Sequence, residues 1–506
     1  MRGSRRQMQE VLLVDADSAA DSADGALTPD GSDDGGRRSR GATWARRARR
    51  WWPVAAGLAL IVVVGQVTAD RRENARLDAL ADVPGVLAPL DRPVHELWRR
   101  DKAQITDRAA FAGQLLAVEE APDGSVSVVA IDARTGKTLW RAAARGPGHQ
   151  LDGTRCAWPR SPRPSDAAGT GHVIACVVVD EYAAAEPGAA FLDHPSKARM
   201  VLVDATTGAV LSDKTTAPTT SVRSLGADLV ISRVDSRGYV HVTRTDALGA
   251  TNRWTYTSKE PVPLDAFGQR SVRLDVADGT VVVRAFDSST FEAAGSTWLL
   301  SGDGRLLRSA VSDATRAVGW LIPLPGGKLV AAQDVGDPAA DSTTISHLTT
   351  GTSFTISGHP SVVYVNDGSV PDLLLATPEA RDLLVGYDAG SGRRRWTTRE
   401  TGDGQFLIID GRILSAKADV LRAIDGRTGD PIWTTQEAPS EDSAPLTDGR
   451  LVLLAGRDPE RGHVLAAYGL DDGRLRWKAD LPGQLSFSTM GGKLYGSSQN
   501  LLVAFG

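Results

Sequence analysis

A short unit that ends in tryptophan recurs along the chain and constrains the fold more than any other feature. Each unit has an apolar strand, an Asp, a Gly four positions later and a second strand with Trp eight positions after the Asp. Asp accepts hydrogen bonds from backbone N–H groups in a tight turn, and Gly adopts the positive φ that the turn requires. The pattern therefore predicts a β-hairpin. The full copies contain Asp132, Gly136 and Trp140; Asp388, Gly392 and Trp396; and Asp425, Gly429 and Trp433.

Further hairpins keep part of the pattern, with the Gly moved, the Asp replaced or the Trp lost. Successive turns lie mostly 37–56 residues apart, which is the length of one four-stranded blade of a β-propeller. The exception is the 72-residue interval from Asp132 to Asp204, which contains an insertion. The partial copies are marked by Asp204 and Gly208, by Asp246 and Trp254, by Gly473 and Trp477 with Gly469 at the Asp position, and by weaker turns around Asp303 and Gly351.

The two ends of the repeat region complement each other. Leu501–Gly506 aligns with the strand that precedes a turn and is not followed by a Trp strand. A segment with Trp98, at the start of the region, supplies the missing strand. We expect one blade to be closed by strands from both ends, because such closure removes exposed sheet edges.

The repeats resemble those of the PQQ-like (pyrroloquinoline-quinone) repeat propellers, and the resemblance covers roughly residues 93–506. This family includes quinoprotein alcohol dehydrogenases and the noncatalytic lipoprotein propeller of outer-membrane assembly. Its members mostly have about seven or eight blades. The sequence contains eight internal hairpins and one split hairpin. We interpret one weak hairpin as an insertion and predict an all-β propeller of eight four-stranded blades.

One apolar segment precedes the repeats. Residues 51–69 carry no charge over 19 positions. As a helix they would extend roughly 28 Å at about 1.5 Å per residue, close to the thickness of a bilayer core. Trp51 and Trp52 lie where aromatic residues line the membrane interface. We predict a transmembrane helix rather than a buried core helix, because both flanks are charged and rich in Gly, Pro and Asp.

The flanks of this span indicate its orientation. Seven arginines lie within residues 37–50, whereas Arg71, Arg72 and Arg76 follow the span. The positive-inside rule places the N-terminus in the cytoplasm and residues 93–506 outside it. Residues 67–69 resemble a signal-peptidase site, but 50 residues make an unusually long leader, so we expect an uncleaved anchor rather than a cleaved signal.

The segments on either side of the span differ in composition from the repeats. Residues 1–50 contain few large apolar side chains and are predicted to be a disordered cytoplasmic tail. Residues 70–92 are predicted to form a short juxtamembrane helix followed by a Pro-containing spacer. The formal net charge of −5 over 506 residues predicts no nucleic-acid-binding surface.

Cys156 and Cys176 are the only cysteines, and both lie in the insertion-bearing second unit. In an oxidising compartment we expect a disulfide, worth about 3 kcal/mol for a loop of this length, rather than two separate buried thiols. The 19 intervening residues exclude the adjacent Cys–Cys pair of quinoprotein alcohol dehydrogenases. No Cys-x-x-Cys-His heme motif is present.

Catalytic and metal-binding motifs are not recognisable in the sequence. The eight histidines have no spacing suited to a metal, and there is no P-loop, Gly-x-Ser-x-Gly elbow or EF-hand carboxylate run. Asp180 and Glu181 are adjacent in a strand and would point to opposite faces, which favours an ordinary strand end over a cation site. We interpret the repeated Asp and Trp residues as turn and packing residues. We assign no catalytic or metal residue and no cofactor site.

Three functions remain open. The leading hypothesis is a noncatalytic, membrane-anchored scaffold of the bacterial cell envelope that binds a protein or a small ligand on one face of the ring. The second is a membrane-bound quinoprotein dehydrogenase that uses PQQ and Ca²⁺, which would need a quinone pocket and a catalytic Asp. The third is an extracytoplasmic sensor, which would need a signalling partner because the tail contains no recognisable kinase or DNA-binding module.

Overall fold

The computed structural model describes most of the region after residue 70, and residues 74–506 form one compact unit. The tail and the predicted transmembrane segment lie outside the described residues. None of the helices in the described part has the length and apolarity needed to cross a bilayer. The described residues are 71–506 apart from 102–103, 149–153, 160–171, 184–193, 263, 265–269, 287–295, 311–320, 333–341, 379–382, 400–404, 418, 437, 440–443 and 499–500.

The described strands form nine sheets, each of four antiparallel strands arranged as one blade. Blades 1–4 follow the chain order without crossovers. Blade 1 contains β2 (Gln104–Phe111), β3 (Gln114–Glu120), β4 (Val126–Asp132) and β5 (Thr138–Arg145); blade 2 contains β6 (Arg155–Ala157), β7 (Val173–Ala183), β8 (His194–Asp204) and β9 (Val210–Thr216); blade 3 contains β10 (Ser221–Leu225), β11 (Asp228–Val234), β12 (Val240–Thr245) and β13 (Asn252–Thr257); blade 4 contains β14 (Ser271–Ala277), β15 (Thr280–Phe286), β16 (Thr297–Leu300) and β17 (Leu306–Ala310).

Blades 5–8 continue the same order, with one extra strand, β23, that pairs in parallel with the first strand of blade 7. Blade 5 contains β18 (Leu321–Pro323), β19 (Leu329–Ala332), β20 (Ser342–His347) and β21 (Ser353–Ser357); blade 6 contains β22 (His359–Pro360), β24 (Leu373–Thr377), β25 (Leu383–Asp388) and β26 (Arg394–Arg399); blade 7 contains β27 (Gln405–Ile409), β28 (Arg412–Lys417), β29 (Val420–Asp425) and β30 (Pro431–Thr435), beside β23 (Val362–Asn366); blade 8 contains β31 (Leu446–Thr447), β32 (Leu451–Asp458), β33 (Gly462–Gly469) and β34 (Leu475–Asp480).

Blade 9 joins the two ends of the repeat region, as predicted. It contains β35 (Ser486–Met490), β36 (Lys493–Ser498) and β37 (Leu501–Phe505). Its fourth strand is β1 (Glu96–Asp101), which pairs antiparallel with β37 and places Trp98 opposite Ala504. The strand with Trp98 therefore completes the sheet that ends with β37.

Nine clusters of buried apolar side chains lie between the described blades, one for each neighbouring pair. In β3, Leu115 and Ala117 face blade 9, whereas Leu116 and Val118 face blade 2. Both faces of a blade are thus buried, which explains why the inner strands read as continuous apolar runs rather than as alternating patterns. Because the last cluster joins blade 9 to blade 1, the nine interfaces close the ring.

The prediction of eight blades is wrong, because both weak hairpins belong to complete blades. The turn around Asp303 joins β16 to β17 in blade 4, and the turn around Gly351 joins β20 to β21 in blade 5. In blade 5, Phe354 pairs with Ile345, the position at which Trp140 pairs with Ala130 in blade 1. The strand ladder and the apolar faces form a blade even where the Asp and Trp of the unit are replaced.

Strand position within a blade determines exposure. The first strands of blades 2, 3 and 4 contact one another, β6 with β10 and β10 with β14, which places them at the inside of the ring. Fourth strands are the most exposed, as in β9 and β13. Side chains that project from first strands therefore lie around the axis of the ring, whereas those of fourth strands form its outer rim.

The segment before the first strand packs against blades 7, 8 and 9. Residues 71–81 form a helix, in which Leu80 is buried between blades 7 and 8. Val86 then pairs in parallel with Thr447 in β31, and the N–H of Ala88 donates to the Gly492 carbonyl at 2.8 Å. At Gly85, with φ of 90°, a Cβ would lie 2.9 Å from a methyl carbon of Val365 in β23. This segment thus covers the inner strands on one side of the ring.

Candidate functional site

The repeat aspartates accept hydrogen bonds within their own turns. In blade 1, Asp132 Oδ1 accepts from the N–H groups of Arg134 and Thr135 at 3.1 and 2.7 Å. A hydrogen bond from the Thr135 hydroxyl and these N–H groups lower the pKa of Asp132. Asp204 and Asp425 make the same pair of backbone contacts in their own turns. These carboxylates therefore hold the hairpins in shape.

Asp388 shows the same arrangement with an added ion pair. Its Oδ1 accepts the N–H of Ser391 at 2.9 Å, and Oδ2 accepts from Arg395 at 2.7 Å. The Arg395 guanidinium and the Ser391 hydroxyl hold the pKa of Asp388 well below its usual range. In blade 3, Asp246 Oδ1 accepts from the N–H groups of Leu248 and Ala250, because the Gly of this turn has moved to position 249.

The repeat tryptophans join each blade to the next. In four of them the indole N–H donates to the backbone carbonyl of the residue after the Asp position in the following blade, and the ring lies against the turn Gly of that blade. At Gly429, for example, a Cβ would lie 2.8 Å from a ring carbon of Trp396. The donor and acceptor pairs are Trp98 with Ala133, Trp254 with Gly302, Trp396 with Gly426, and Trp433 with Leu470.

Two tryptophans depart from this contact. The ring of Trp140 lies against Gly208 of blade 2, but its indole N–H has no hydrogen-bond partner among the described residues. Trp477 likewise has no partner for its indole N–H in the described part, and it packs against the cluster between blades 8 and 9. Blade 2 has Ser212 in place of Trp, and the facing Gly249 of blade 3 has no side chain within 4 Å of its Cβ position.

The predicted disulfide is present between Cys156 and Cys176. These residues lie opposite each other in the β6–β7 pair, with Cα atoms 4.1 Å apart. The bridge closes a separation of 20 residues, which corresponds to about 3 kcal/mol in the chain-entropy account. Because both cysteines are buried between blades 1 and 2, the bridge fixes the short inner strand β6 to β7.

Two adjacent glutamates in β3 tie blade 1 to both of its neighbours. Glu119 accepts hydrogen bonds from Arg100 of β1 in blade 9 and from Arg141 in blade 1. Glu120 accepts from Arg145 at 3.2 Å, and Arg145 also donates to the Val179 carbonyl of blade 2 at 3.1 Å. Each carboxylate is buried and paired, as buried charges in proteins generally are.

A further charged group lies in blade 8. Asp458 Oδ1 accepts from the N–H groups of Glu460 and Arg461 at 2.9 and 3.0 Å, and Oδ2 accepts from the Lys478 ammonium at 2.7 Å. The Lys478 hydrogen bond and these backbone N–H groups lower the pKa of Asp458 to about 2. The ionised form is therefore favoured in the folded state.

This lowered pKa predicts a loss of stability in acid. A carboxylate with a depressed folded-state pKa stabilises the fold above its unfolded pKa, and the contribution disappears as the pH falls toward the folded value. We expect the urea midpoint of the protein to fall between about pH 4 and pH 2, and Asp458→Asn to flatten that dependence. The control Asp91→Asn, at a side chain that is 87% exposed, should leave it unchanged. An identical pH profile for both variants would contradict the assignment.

Arginines converge at the inside of the ring in blades 2, 3 and 4. Arg223 is the third residue of β10 and Arg273 the third residue of β14, while Arg284 lies opposite Arg273 on β15. Asp275 is 3.8 Å from Arg223, 3.3 Å from Arg273 and 3.2 Å from Arg284. With Arg155 of β6, these residues form what we call the inner arginine cluster.

Arg155 is exposed to solvent and lies on β6, which contacts β10 at the inside of the ring. Burial by nearby protein atoms lowers the pKa of its guanidinium, and the positive charges of Arg223 and Arg273 lower it further. Arg155 makes no hydrogen bond or ion pair within 4 Å with any residue in the described ranges. The cluster therefore places guanidinium groups from blades 2, 3 and 4 and one carboxylate at the inside of the ring, where water reaches Arg155 and Arg273.

The described residues also line a small pocket between blades 9 and 1. Its volume is about 260 Å³, below the roughly 300–1,000 Å³ typical of small-molecule sites. Phe111, Gln114, Met490, Lys493 and Tyr495 contribute to its walls. Burial raises the pKa of Tyr495 to about 12, which keeps the phenol protonated at neutral pH. We assign this pocket no ligand.

The inner arginine cluster was not predicted from the sequence. The signal that could have revealed it is the tripeptide Ser-Val-Arg, which occurs at residues 221–223 and again at residues 271–273. Each copy starts a first strand, and the two first strands contact each other at the inside of the ring, although their registers with the second strands differ by two residues. The Asp and Trp positions of each unit lie in the outer hairpin and do not indicate which side chains lie on the first strand.

Comparisons with known proteins confirm the resemblance to PQQ-like propellers. Residues 309–485 match the family model described as outer membrane protein assembly factor BamB. The comparison with curated proteins gives no match. The matched segment covers blades 5–8, including the three hairpins with Asp388, Asp425 and Gly473.

The solved structures that match this chain have low sequence identity to it. BamB from Moraxella catarrhalis is 15% identical, with a TM-score of 0.41, over 81% of this chain and 99% of that chain. The quinohemoprotein alcohol dehydrogenase from Comamonas testosteroni is 13% identical, with a TM-score of 0.37, over 81% of this chain and 76% of that chain. Sqt1 from Saccharomyces cerevisiae is 8% identical, with a TM-score of 0.40, over 82% and 99%.

The donor atoms of the cluster do not suit the Ca²⁺ that accompanies PQQ. Calcium takes six to eight oxygen ligands, mostly carboxylates and carbonyls. The inner arginine cluster offers the Asp275 carboxylate among four cationic side chains, which would repel a divalent cation. Within the described residues, no group of three His, Cys, Asp or Glu side chains could hold a metal ion. The cluster is instead suited to an anion.

Proposed function

We propose that the protein is a noncatalytic scaffold of the bacterial cell envelope, which binds a protein partner or small ligand on its propeller. The observation that carries this proposal is the match of residues 309–485 to the assembly-factor propeller family. The repeat Asp and Trp side chains support it, because they are engaged in turns and in contacts between blades. Rings of this type offer two broad faces and an outer rim for binding.

The proposal includes an anchor at residues 51–69, with the N-terminus in the cytoplasm and the propeller on the other side of the membrane. The side chain of Arg76 already contacts the Gly449 carbonyl of blade 8 at 2.9 Å. In the sequence, residues 70–75 separate the proposed anchor from this contact. The buried Cys156–Cys176 disulfide supports an oxidising compartment.

Protease treatment of intact spheroplasts tests this location. We expect external protease to digest the propeller while a tag before residue 50 survives. When cells are lysed directly into denaturant with an alkylating reagent, Cys156 and Cys176 should stay unlabelled unless a reductant is added first, because both are buried in the folded protein. A propeller that resists external protease in intact spheroplasts but not after lysis would refute the location. Reduced cysteines in untreated cells would argue against it as well.

Incubation of the purified full chain in detergent with PQQ and Ca²⁺ tests the noncatalytic assignment. We expect no saturable quinone absorbance and no dye-linked oxidation of alcohols or sugars. Turnover that depends on both additions would replace this proposal with a quinoprotein dehydrogenase. Photo-crosslinkers at the exposed rim residues Leu139 and Ile432, compared in intact cells, should give adducts with a defined envelope protein if the rim is the binding surface.

A further inference from the structure

The inner arginine cluster carries more positive charge than its own residues neutralise. Arg223 and Arg273 share the Asp275 carboxylate, and Arg155 contributes to the same field without an ion pair in the described part of the chain. Among these four described residues, three guanidinium groups accompany one carboxylate, which leaves an excess of positive charge at the inside of the ring.

Three of the arginines lie on consecutive first strands, Arg155 on β6, Arg223 on β10 and Arg273 on β14. Measured from the turn to the second strand, Arg223 and Asp275 occupy equivalent positions, which brings opposite charges side by side in blades 3 and 4. Arg155 lies on the first strand of the preceding blade, which the Cys156–Cys176 bridge holds in place. The cluster therefore rests on rigid strands, as a preorganised binding site does.

Guanidinium groups indicate the class of ligand. Each presents a planar fork of N–H donors that matches the paired oxygens of a phosphate or carboxylate, and Arg pairs with these groups in a bidentate manner. A monovalent anion would leave part of the excess positive charge of the inner arginine cluster unneutralised. A ligand with two or more anionic groups would neutralise it and engage guanidinium groups from several blades.

We propose that the inner arginine cluster is a binding site for a small anionic ligand that carries two or more phosphate or carboxylate groups. This site extends the proposed scaffold function and does not depend on it, because a protein partner on the rim would not contact the inner strands. Phosphate and carboxylate ligands share the same recognition chemistry here, and the experiment separates the two sources.

Isothermal titration calorimetry of the full chain in detergent, at constant ionic strength, tests the site with pyrophosphate and with citrate as probes. We expect saturable binding of at least one probe with a one-to-one stoichiometry. The double variant Arg223→Gln/Arg273→Gln should bind at least tenfold more weakly. The matched control is Arg394→Gln, an exposed arginine on the outer strand of blade 6, and it should bind as the unmodified chain does.

Two further variants separate binding from folding. Arg155→Gln removes a guanidinium that makes no hydrogen bond or ion pair in the described structure, so it should fold normally and bind several-fold more weakly. Asp275→Asn removes the competing carboxylate and should bind several-fold more tightly, an effect that loss of a merely structural ion pair would not produce.

The outcomes are distinguishable. Stronger binding of pyrophosphate supports a phosphate ligand, stronger binding of citrate supports a polycarboxylate, and equal binding supports recognition by charge alone. Absence of saturable binding for both probes would overturn the proposal, as would unchanged affinity in the Arg223→Gln/Arg273→Gln and Arg155→Gln variants. These results are independent of the protease and PQQ experiments, so failure of one proposal leaves the other to its own test.

Discussion

Replacing Trp396 with Ala should reduce the free energy of unfolding by about 3–5 kcal/mol, the range for removal of a buried aromatic side chain. Trp396 is 7% exposed and lies between Gly386 of its own blade and Gly429 of blade 7. The variant would lose the ring contacts and the hydrogen bond from the indole N–H to the Gly426 carbonyl, which is 3.1 Å long. Urea denaturation monitored by far-ultraviolet circular dichroism measures the change.

The matched control is Leu475→Ala, at a side chain that is 44% exposed on the outer strand of blade 8. We expect it to change stability by no more than about 0.5 kcal/mol, as surface substitutions generally do. If both variants lowered stability equally, the Trp would not be the contact that joins blades 6 and 7.

A pair of glycines tests the same contact from the other side. Gly429 and Gly351 close equivalent turns, with φ of 79° and 74° and N–H bonds to the Asp425 and His347 carbonyls. Replacement by Ala imposes a similar backbone strain at each. At Gly429 the added Cβ would also meet Trp396 at 2.8 Å, whereas Gly351 has no neighbour within 4 Å. We expect Gly429→Ala to cost about 1–3 kcal/mol more than Gly351→Ala, the usual cost of overpacking.

The turn chemistry made the propeller predictable from sequence. An Asp, a Gly and a Trp at fixed offsets specify a hairpin whose aromatic ring contacts the next hairpin, so a single unit such as Asp425, Gly429 and Trp433 already implies a neighbour. The split blade was predictable because the last strand lacks a partner with Trp, and the strand with Trp98 supplies it by pairing Trp98 with Ala504. The Asp, Gly and Trp signature is still recognisable in the diverged copies and therefore identifies the fold class.

The blade number was not predictable in the same way, since blades 4 and 5 keep their strands while their turns diverge. Arg308 pairs with Leu299 where other blades have Trp. Phe354 reaches the Trp position after a turn of the same length, because β21 lacks the β-bulge that precedes Trp140 in blade 1. Alternating apolar residues and backbone hydrogen bonds suffice to form these sheets, and neither depends on the turn signature.

The inner arginine cluster was missed for a different physical reason. Arg155, Arg223 and Arg273 are separated by 50 residues or more along the chain, and they converge because each blade places its first strand beside the axis. The repeat signature lies in the turn between the third and fourth strands, so it predicts the spacing of the blades but not which side chains the first strands carry. For residues 70–92 a short helix and a spacer were predicted, but not their packing on the blades, because the contacts with Thr447 and Gly492 join residues more than 350 positions apart.

Replacing Arg145 with Ala should be as damaging as the loss of Trp396, at about 3–5 kcal/mol, because it breaks a buried ion pair. The side chains of Arg145 and Glu120 are 8% and 7% exposed. Arg145 also donates to the Gly124 and Val179 carbonyls, so its guanidinium links the β3–β4 turn of blade 1 to blade 2. Urea denaturation should show the loss, and it should persist at high salt because buried pairs are screened little.

An exposed ion pair in the neighbouring blade supplies the comparison that decides whether burial or charge causes this effect. Lys197 contacts Glu181 at 2.6 Å, but the two side chains are 64% and 54% exposed. We expect Lys197→Ala to cost no more than about 1 kcal/mol. Arg145→Met keeps most of the apolar stem, so a cost close to that of Arg145→Ala would attribute the loss to the guanidinium. Equal costs for Arg145→Ala and Lys197→Ala would instead show that the link between blades 1 and 2 depends on their apolar interface, where Cys156 and Cys176 already join β6 to β7.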